Sequence, residues 1–314
     1  MTRARLVTAA RIALMVLVLV AIVVAVSSQW SQVRAHLTSV SAGTLAVSTA
    51  LGMASLGFTL LGWRALLADL GSPLHVAPAS GVLFIGQLGK YLPGTVWSVV
   101  AQAEVASRLG VPRRTSAVAG VLSVAMSALA GLTVGVVALP GLLAAGGGLE
   151  YLVVLLLIPV GAVLLHPRVL NALLGRALRL VRREPLERPL SGRAIATTTV
   201  AYLLAWLALG LHFLVLVRAL GGDSGALVPS VFGYALAAAV GMVVVIAPAG
   251  FGVREGVLVY LLARHLPESA PLVAALLSRF VLLACDLAAA ALGWGYARSH
   301  RLLETRRAPD LSSG

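Results

Sequence analysis

Two stretches of this sequence decide its fold: Leu88-Gly-Lys-Tyr-Leu-Pro-Gly94 and Ala247-Pro-Ala-Gly-Phe-Gly-Val-Arg-Glu255. Each places proline, glycine and charged residues in the middle of a long apolar segment. Because proline removes a helical hydrogen bond and glycine permits a tight turn, each stretch interrupts a helix. The sequence therefore predicts two segments that are broken near their centres.

The rest of the chain is too apolar for a water-soluble protein. Of its 314 residues, 60% are hydrophobic and only 11% are charged, whereas soluble domains carry about 25% charged residues. In a membrane protein, the net charge of +13 reports how the chain is oriented across the membrane and attracts it to anionic lipids. The sequence has no basic stretch interleaved with aromatic residues, so nucleic-acid binding is not expected. The single cysteine, Cys285, excludes an internal disulfide and a cysteine-based metal site. We expect no cofactor and no metal.

Apolar runs divide the chain into candidate membrane segments, since a helical span needs about 20 residues. The first run, Ile12–Val26, has the charged and apolar regions of a signal peptide. The longer segment Ala9–Trp30 favours an uncleaved span. Further full spans are expected at Thr44–Leu67, Ser116–Leu139, Tyr151–Leu165, Ala194–Val217 and Leu272–Tyr296.

The distribution of arginine predicts the sidedness of the chain, because positively charged loops stay in the cytoplasm. Both termini, the cluster Arg108–Arg114 and the connector Pro167–Arg193 are expected inside, and the loop Pro140–Glu150, which has no positive residue, outside. With these sides assigned, the broken segments Ala79–Leu109 and Pro229–Leu266 must each return to the side from which they start. We predict two re-entrant hairpins. The first part of the second segment, with 19 residues before the break, could instead form a full span.

The two breaks also align with each other. Placing Pro93 opposite Pro248 puts Pro112 opposite Pro267, each 19 residues later. Units that enter from opposite sides form an inverted repeat, an arrangement found in many transporters. We predict an all-α polytopic membrane protein with about six full transmembrane helices and two re-entrant helical hairpins. Its parts are a single membrane domain over residues 1–314, repeat units at about 44–139 and 194–296, a basic cytoplasmic connector at 167–193 and a cytoplasmic tail at 298–314.

Six ionisable residues lie within the apolar segments: Lys90, Glu104, Arg254, Glu255, Arg279 and Asp286. Each costs about 2.5–3.5 kcal/mol to insert, so such residues face cavities and pair with one another. Lys90 and Arg254 lie beside the breaks and together would suit an anion such as a phosphate headgroup. The alternative is that Lys90 reaches towards water and that Arg254 pairs with Glu255 or Glu104.

The last span carries two of these charges on one face. Arg279 and Asp286 are seven residues apart, or about 10 Å along the helix, and each is expected to meet another helix, as an ion pair or as part of a pathway. His212 lies deep in a span, where a hydrogen bond in the core is the expected role.

Three stretches resemble a known family: Gly89-Lys-Tyr-Leu-Pro-Gly-Thr-Val-Trp97, Ala106-Ser-Arg-Leu-Gly-Val-Pro112 and Pro248-Ala-Gly-Phe-Gly-Val-Arg-Glu-Gly256. With Ser278-Arg-Phe280, they are similar to the lysylphosphatidylglycerol synthase transmembrane-region family of flippase-like membrane proteins. The resemblance covers essentially the whole chain and implies translocation of a lipid headgroup between leaflets. The positions that match the family, together with the residues at the breaks, define the expected substrate site: Lys90, Pro93, Gly94, Arg254, Glu255 and Arg279. Neighbouring residues are expected to support it: Glu104, Trp97, Gly250, Gly252 and Asp286.

We expect a flippase-like transporter of an anionic phospholipid or an isoprenoid-linked glycolipid in the cell membrane. An enzyme is not expected, because the common hydrolase, metalloprotease and phosphate-loop motifs are missing and only a short tail follows the last span. An unfamiliar carboxylate site formed by Glu104 and Asp286 would be needed for an enzymatic function. Two non-enzymatic functions also stay open: a transporter of a small soluble anion or other solute, and a non-catalytic subunit of a membrane glycosyl- or acyltransferase. Membrane lipids are the expected partners, and a homo-oligomer or an enzyme partner stays open.

Overall fold

The computed structural model describes residues 40–91, 97–140, 156, 159–161, 163–180, 189–243, 252–267 and 269–299. The expected first span, most of the span Tyr151–Leu165, and the break residues Pro93, Gly94 and Gly250 lie outside these ranges. Within them, the secondary structure is helical. The helices are α1 (Ala42–Asp69), α2 (Val76–Gln87), α3 (Trp97–Ser107), α4 (Arg113–Gly135), α5 (Pro167–Leu180), α6 (Gly192–Ala219), α7 (Leu227–Val243), α8 (Val253–Leu262) and α9 (Ala270–Ser299).

Helices α1 and α6 are built alike and form the centre of the bundle. Each has 28 residues and starts after a serine, Ser41 or Ser191, whose side chain accepts a hydrogen bond from a backbone N–H in the first turn. Each ends before a glycine with positive φ, Gly71 at 84° and Gly221 at 93°. A left-handed residue at this position ends the helix and satisfies its last carbonyls.

These two helices run in opposite directions. The hydroxyl of Thr198 near the start of α6 donates to the Gly62 carbonyl near the end of α1, 3.1 Å away. His212, near the end of α6, contacts Ser48 near the start of α1. The same type of helix therefore occurs twice in the bundle with opposite orientation.

The order of elements after each of these helices is also the same. Helix α1 is followed by α2, a 3₁₀ turn at Leu88–Tyr91, α3 and the long α4. Helix α6 is followed by α7, α8 and the long α9, with residues 244–251 between α7 and α8. Both units thus consist of a long helix, a short helical pair that flanks a break, and a second long helix.

The first short pair forms an antiparallel hairpin whose two ends lie at one end of the bundle. A side chain at Gly86 would contact Gln102, and one at Gly89 would contact the Ser98 backbone, so α2 and α3 run in opposite directions at close range. At the end where the hairpin starts, the Asp69 carboxylate accepts hydrogen bonds of 2.7 Å from the backbone N–H and hydroxyl of Ser191.

Helix α6 starts at this end of the bundle, and α4 runs parallel to it, so α4 begins at the same end. Ser123 hydrogen-bonds Tyr202, and one turn later the Trp206 indole N–H donates to the Ser127 carbonyl at 2.8 Å. We call this the arginine-rich end, because it carries Arg64, Arg108, Arg113, Arg114 and Arg193.

The second short pair starts and finishes at the opposite end of the bundle. Helix α7 follows the end of α6, and Asp223 in the connection contacts His265, just after α8, at 3.0 Å. Desolvation raises the pKa of the Asp223 carboxyl, but its hydrogen bond and charge interaction with His265 outweigh that effect and lower the pKa below its ordinary value. The two short helical pairs therefore start at opposite ends of the bundle.

Each hairpin packs against the last helix of the other unit. Gly81 of α2 meets Gly293 of α9, and Gly135 of α4 meets the backbone of Leu236 in α7. At both contacts a glycine allows the helix backbones to approach closely, as is common in membrane proteins. The two units interlock instead of standing side by side.

The length and hydropathy of the helices confirm the predicted class. Five helices in the described ranges are long and apolar enough to cross a membrane. Four of them coincide with spans expected from the sequence, and the fifth is Ser224–Gly241, at the start of the segment expected to form the second hairpin. The chain is an all-α polytopic membrane protein.

The basic connector contains an amphipathic helix, α5. Leu170 of α5 is buried against the bundle, whereas Leu180 is 84% exposed. The Asn171 side chain holds the helix in place, because it accepts a hydrogen bond from the Leu190 N–H and donates one to the Leu190 carbonyl, at 2.8 and 3.0 Å.

The close packing of α6 on α7 can be tested with one methyl group. A side chain at Gly210 would collide with the Val231 backbone, whereas Gly57 on α1 has no atom within 4 Å of an added Cβ. We expect Gly210→Ala to destabilise the detergent-solubilised protein by about 1–3 kcal/mol. Gly57→Ala should be neutral or stabilising by up to about 1 kcal/mol. Equal melting temperatures for the two variants would contradict this packing.

Candidate functional site

The charged residues predicted from the sequence meet around α9. Arg279 forms an ion pair with Glu255, the third residue of α8, with Nη2–Oε1 and Nε–Oε1 distances of 2.8 and 3.0 Å. The two side chains are only 14% and 8% exposed. Inside an apolar bundle, such a pair keeps two charges from being stranded without a partner.

Glu255 also holds the start of α8. Its second oxygen accepts a hydrogen bond of 2.8 Å from the Gly252 N–H, and Gly252 has a φ of 84°, which glycine adopts at little cost. A carboxylate in the first turn interacts favourably with the helix dipole and with unpaired N–H groups. The sequence Gly252-Val-Arg-Glu255 therefore forms the N-terminal cap and first turn of α8.

The second ion pair joins α9 to the other hairpin. Asp286 lies two turns beyond Arg279, is 5% exposed, and pairs with Lys90 at 2.6 Å. Lys90 lies in the 3₁₀ turn that follows α2 and is 41% exposed. One face of α9 thus contacts a charged residue from the broken region of each hairpin.

Arg254 differs from the other two cations of this group. Its Nη2 lies 3.5 Å from the Ser278 hydroxyl oxygen, and its guanidinium lies over the Tyr234 ring, 4.5 Å from the ring centre. Its Nε is buried without a hydrogen-bond partner. Among the described residues, no carboxylate forms an ion pair with Arg254.

A buried polar chain leads away from Arg254. The Ser278 oxygen lies 2.9 Å from Nε2 of His212, and Nδ1 of that ring lies 2.7 Å from the Ser48 hydroxyl. The side chains of His212, Ser278 and Ser48 are fully buried, and Tyr234 is 1% exposed. This chain connects α1, α6 and α9 with Arg254 on α8.

The remaining predicted residues lie elsewhere. Glu104 pairs with Arg113 at 2.9 Å, and both are well exposed, so Glu104 contacts neither Arg254 nor Asp286. Trp97 begins α3 and is 48% exposed.

The expected pairing of Arg254 with Glu255 or Glu104 is wrong, because Glu255 pairs with Arg279 and Glu104 with Arg113. The joint binding of an anion by Lys90 and Arg254 stays a prediction. We call Lys90, Arg254, Glu255, Arg279 and Asp286 the charged cluster; its three cations and two carboxylates leave a net charge of +1.

Sequence reasoning missed Tyr234 and Ser278 as parts of the site. Ser278 immediately precedes Arg279, and Tyr234 is a hydroxyl-bearing aromatic in the middle of an apolar run. Polar groups of this kind inside a membrane helix were the available signal, because they need partners. His212 makes the buried hydrogen bonds that were expected of it.

Two cavities in the described surface lie away from the charged cluster. One, of about 690 Å³, lies between α1 and α6 and includes Arg64. The other, of about 360 Å³, is bordered by α7 and α8 and includes Arg264. Neither is lined by a residue of the charged cluster.

The fold and the charged cluster together define a multi-pass helical membrane protein with paired charges in its interior. The chain belongs to the family described as the lysylphosphatidylglycerol synthase TM region, whose model matches residues 10–290. This match confirms the resemblance seen in the sequence. A comparison with curated proteins finds no match.

The buried ion pair predicts a specific pattern of stabilities. Glu255→Gln should leave the Arg279 charge uncompensated and destabilise the protein by about 3–5 kcal/mol, and the double variant with Arg279→Gln should recover most of that loss. Glu104→Gln, which breaks an exposed pair, should cost no more than about 1 kcal/mol.

Thermal unfolding of the wild type, these three variants and Arg279→Gln alone measures this pattern. Similar losses for Glu255→Gln and Glu104→Gln, or a loss in the double variant equal to the sum of the two single losses, would rule out the buried pairing.

Proposed function

We propose that this chain is a non-enzymatic, flippase-like transporter that moves a lipid with an anionic headgroup across the cytoplasmic membrane. The substrate would be an anionic phospholipid or an isoprenoid-linked glycolipid. Membership of the lysylphosphatidylglycerol synthase TM region family supports a role in lipid handling. The charge balance of the interior supports an anionic substrate.

The observation that carries the proposal is the environment of Arg254. Lys90 and Arg279 each pair with a carboxylate, whereas Arg254 contacts only a hydroxyl and an aromatic ring in the described residues. An intramembrane cation without a counter-charge is costly and marks a substrate pathway. A phosphate group would supply the missing charge and accept hydrogen bonds from the guanidinium.

The arrangement of the two units supports movement of the substrate between leaflets. We propose that they form an inverted repeat with two re-entrant hairpins, because α1 and α6 are antiparallel and the hairpins start from opposite ends of the bundle. Transporters of this type alternate access around a site near the midplane, where broken helices meet.

The sidedness of the protein follows from its arginines. The arginine-rich end also receives the basic helix α5, through Asn171 and Leu190, whereas the opposite end carries Arg218 and Arg264 among its described residues. Because positive residues are retained inside, we propose that the arginine-rich end faces the cytoplasm.

A transport assay with two arginine variants tests the proposal. Fluorescent phosphatidylglycerol in proteoliposomes is quenched by a membrane-impermeant reductant as it reaches the outer leaflet. Arg254→Gln should slow this exchange by more than about tenfold, since loss of a buried charge contact costs about 2 kcal/mol or more. Arg264→Gln, an exposed arginine near the end of the same hairpin, is the matched control and should retain activity.

Three results would contradict the proposal in different ways. Full exchange by Arg254→Gln would remove Arg254 from the pathway. Uptake of a soluble anion without lipid exchange would favour a solute transporter. Absence of both activities in a well-folded protein would favour a subunit of another membrane enzyme.

A further inference from the structure

His212 is a titratable group that anion binding at Arg254 does not directly use. Nδ1 of its ring lies 2.7 Å from the hydroxyl and 3.0 Å from the carbonyl oxygen of Ser48, and Nε2 lies 2.9 Å from the Ser278 hydroxyl oxygen. Both ring nitrogens are therefore held by partners. When such a buried histidine is neutral, the partners of its two nitrogens determine which nitrogen carries the proton.

The contacts of Ser48 assign the proton on Nδ1. The Ser48 carbonyl can only accept, and the Ser48 hydroxyl is oriented to donate to the backbone carbonyl of His212 at 3.4 Å. Nδ1 must then be the donor to Ser48. In the neutral ring, Nε2 is the acceptor and takes the hydroxyl proton of Ser278.

Ser278 provides an alternative arrangement for a protonated ring. Its hydroxyl oxygen also lies 3.4 Å from the Tyr234 hydroxyl, in a geometry that allows Ser278 to donate. If Nε2 gains a proton, it donates to Ser278, and the Ser278 proton turns to Tyr234. Each donor thus has an acceptor in both protonation states, which is the condition for a buried polar network to be stable.

The charge of Arg254 opposes protonation of His212. The Arg254 Nη2 and the His212 Nε2 contact the same Ser278 oxygen, so a second positive charge would lie close to the first. The other charged groups near this point, Arg279 and Glu255, neutralise each other. Among the described residues, the polar groups that contact His212 or share its partner Ser278 are hydroxyls: Ser48 on α1, Tyr234 on α7 and Ser278 on α9.

We infer that His212 is a proton-binding site coupled to Arg254, so that the protein takes up a proton when an anion binds beside Arg254. The anion neutralises the guanidinium and removes its repulsion, which, after burial in the apolar bundle, is the second effect that disfavours a charged imidazole. By linkage, the protonated ring in turn strengthens anion binding. The coupling rests on the proposed function, because Arg254 is the anion site there, and it would make the transport of the lipid sensitive to a proton gradient.

The sign of the pH dependence follows directly. The bound state holds one more proton than the free state, so anion affinity weakens as the pH rises, by at most about tenfold per pH unit for one coupled proton.

Isothermal titration calorimetry of the full chain in detergent measures the proton directly. Dihexanoyl phosphatidylglycerol is titrated in two phosphate-free buffers of different ionisation enthalpy, and the difference in heat gives the protons taken up. The wild type should take up as much as one proton per lipid. His212→Asn should bind with no uptake and with an affinity independent of pH.

Two further variants keep the test decisive if His212→Asn does not fold. Tyr234→Phe retains the ring beneath Arg254 but removes the second acceptor for the Ser278 proton, so uptake should fall. His265→Asn, a histidine near the end of the bundle that contacts Asp223, is the matched control and should leave uptake unchanged.

The outcomes distinguish this coupling from the proposed function. If Arg254→Gln abolishes binding but the wild type takes up no proton, the coupling alone is overturned. The same holds if His212→Asn and Tyr234→Phe take up as many protons as the wild type. Binding that is insensitive to Arg254→Gln, or no binding by the wild type, would overturn the anion site together with the coupling.

Discussion

Two carboxylates, Glu255 and Asp286, lie almost completely buried in a bundle of apolar helices, and each requires a cation within reach. An uncompensated charge in such surroundings costs several kcal/mol, so the helices that carry the partners cannot move independently. Helix α9 supplies the cation Arg279 for Glu255 and also carries Asp286, whose cation, Lys90, comes from the first hairpin. This requirement places the broken regions of both hairpins against the same helix.

The rest of the bundle is compatible with this arrangement because its backbones approach closely. Glycines at the contacts of α2 with α9 and of α6 with α7 leave no room for a side chain. The close approach brings Ser48, His212 and Ser278 within hydrogen-bond distance across three helices. The polar chain and the ion pairs therefore depend on the same packing, and within the described part of the chain Arg254 is the member of the charged cluster without a counter-charge.

Much of the fold was predictable because membrane helices are long, apolar and bounded by turn residues. The expected spans Thr44–Leu67 and Ala194–Val217 correspond to α1 and α6, and each proline-glycine stretch lies between the two helices of a short pair. The sequence predicts a repeat from Pro93 and Pro248, which lie outside the described residues, and the similarity in the structure is clearest in the matching caps of α1 and α6. Those caps rest on common residues, serine and glycine, which carry little information in sequence alone.

The partners within the site were less predictable than its residues. The sequence indicates that buried charges pair, but Lys90 and Asp286 are far apart in the chain, and only the packing of the first hairpin on α9 brings them together. The same applies to His212, whose two partners come from α1 and α9. A charge pattern identifies which groups need partners, whereas the three-dimensional contacts decide which one is left for a ligand.

The central claim is that Arg254 meets the anionic part of a lipid instead of a carboxylate of the protein. A cryo-electron microscopy map of the chain in nanodiscs containing phosphatidylglycerol tests it most directly. The account predicts headgroup density against the Arg254 guanidinium, beside Tyr234 and Ser278, while Arg279 stays paired with Glu255. A map in which Arg254 forms an ion pair with a carboxylate of the chain, with no lipid density beside it, would contradict the claim.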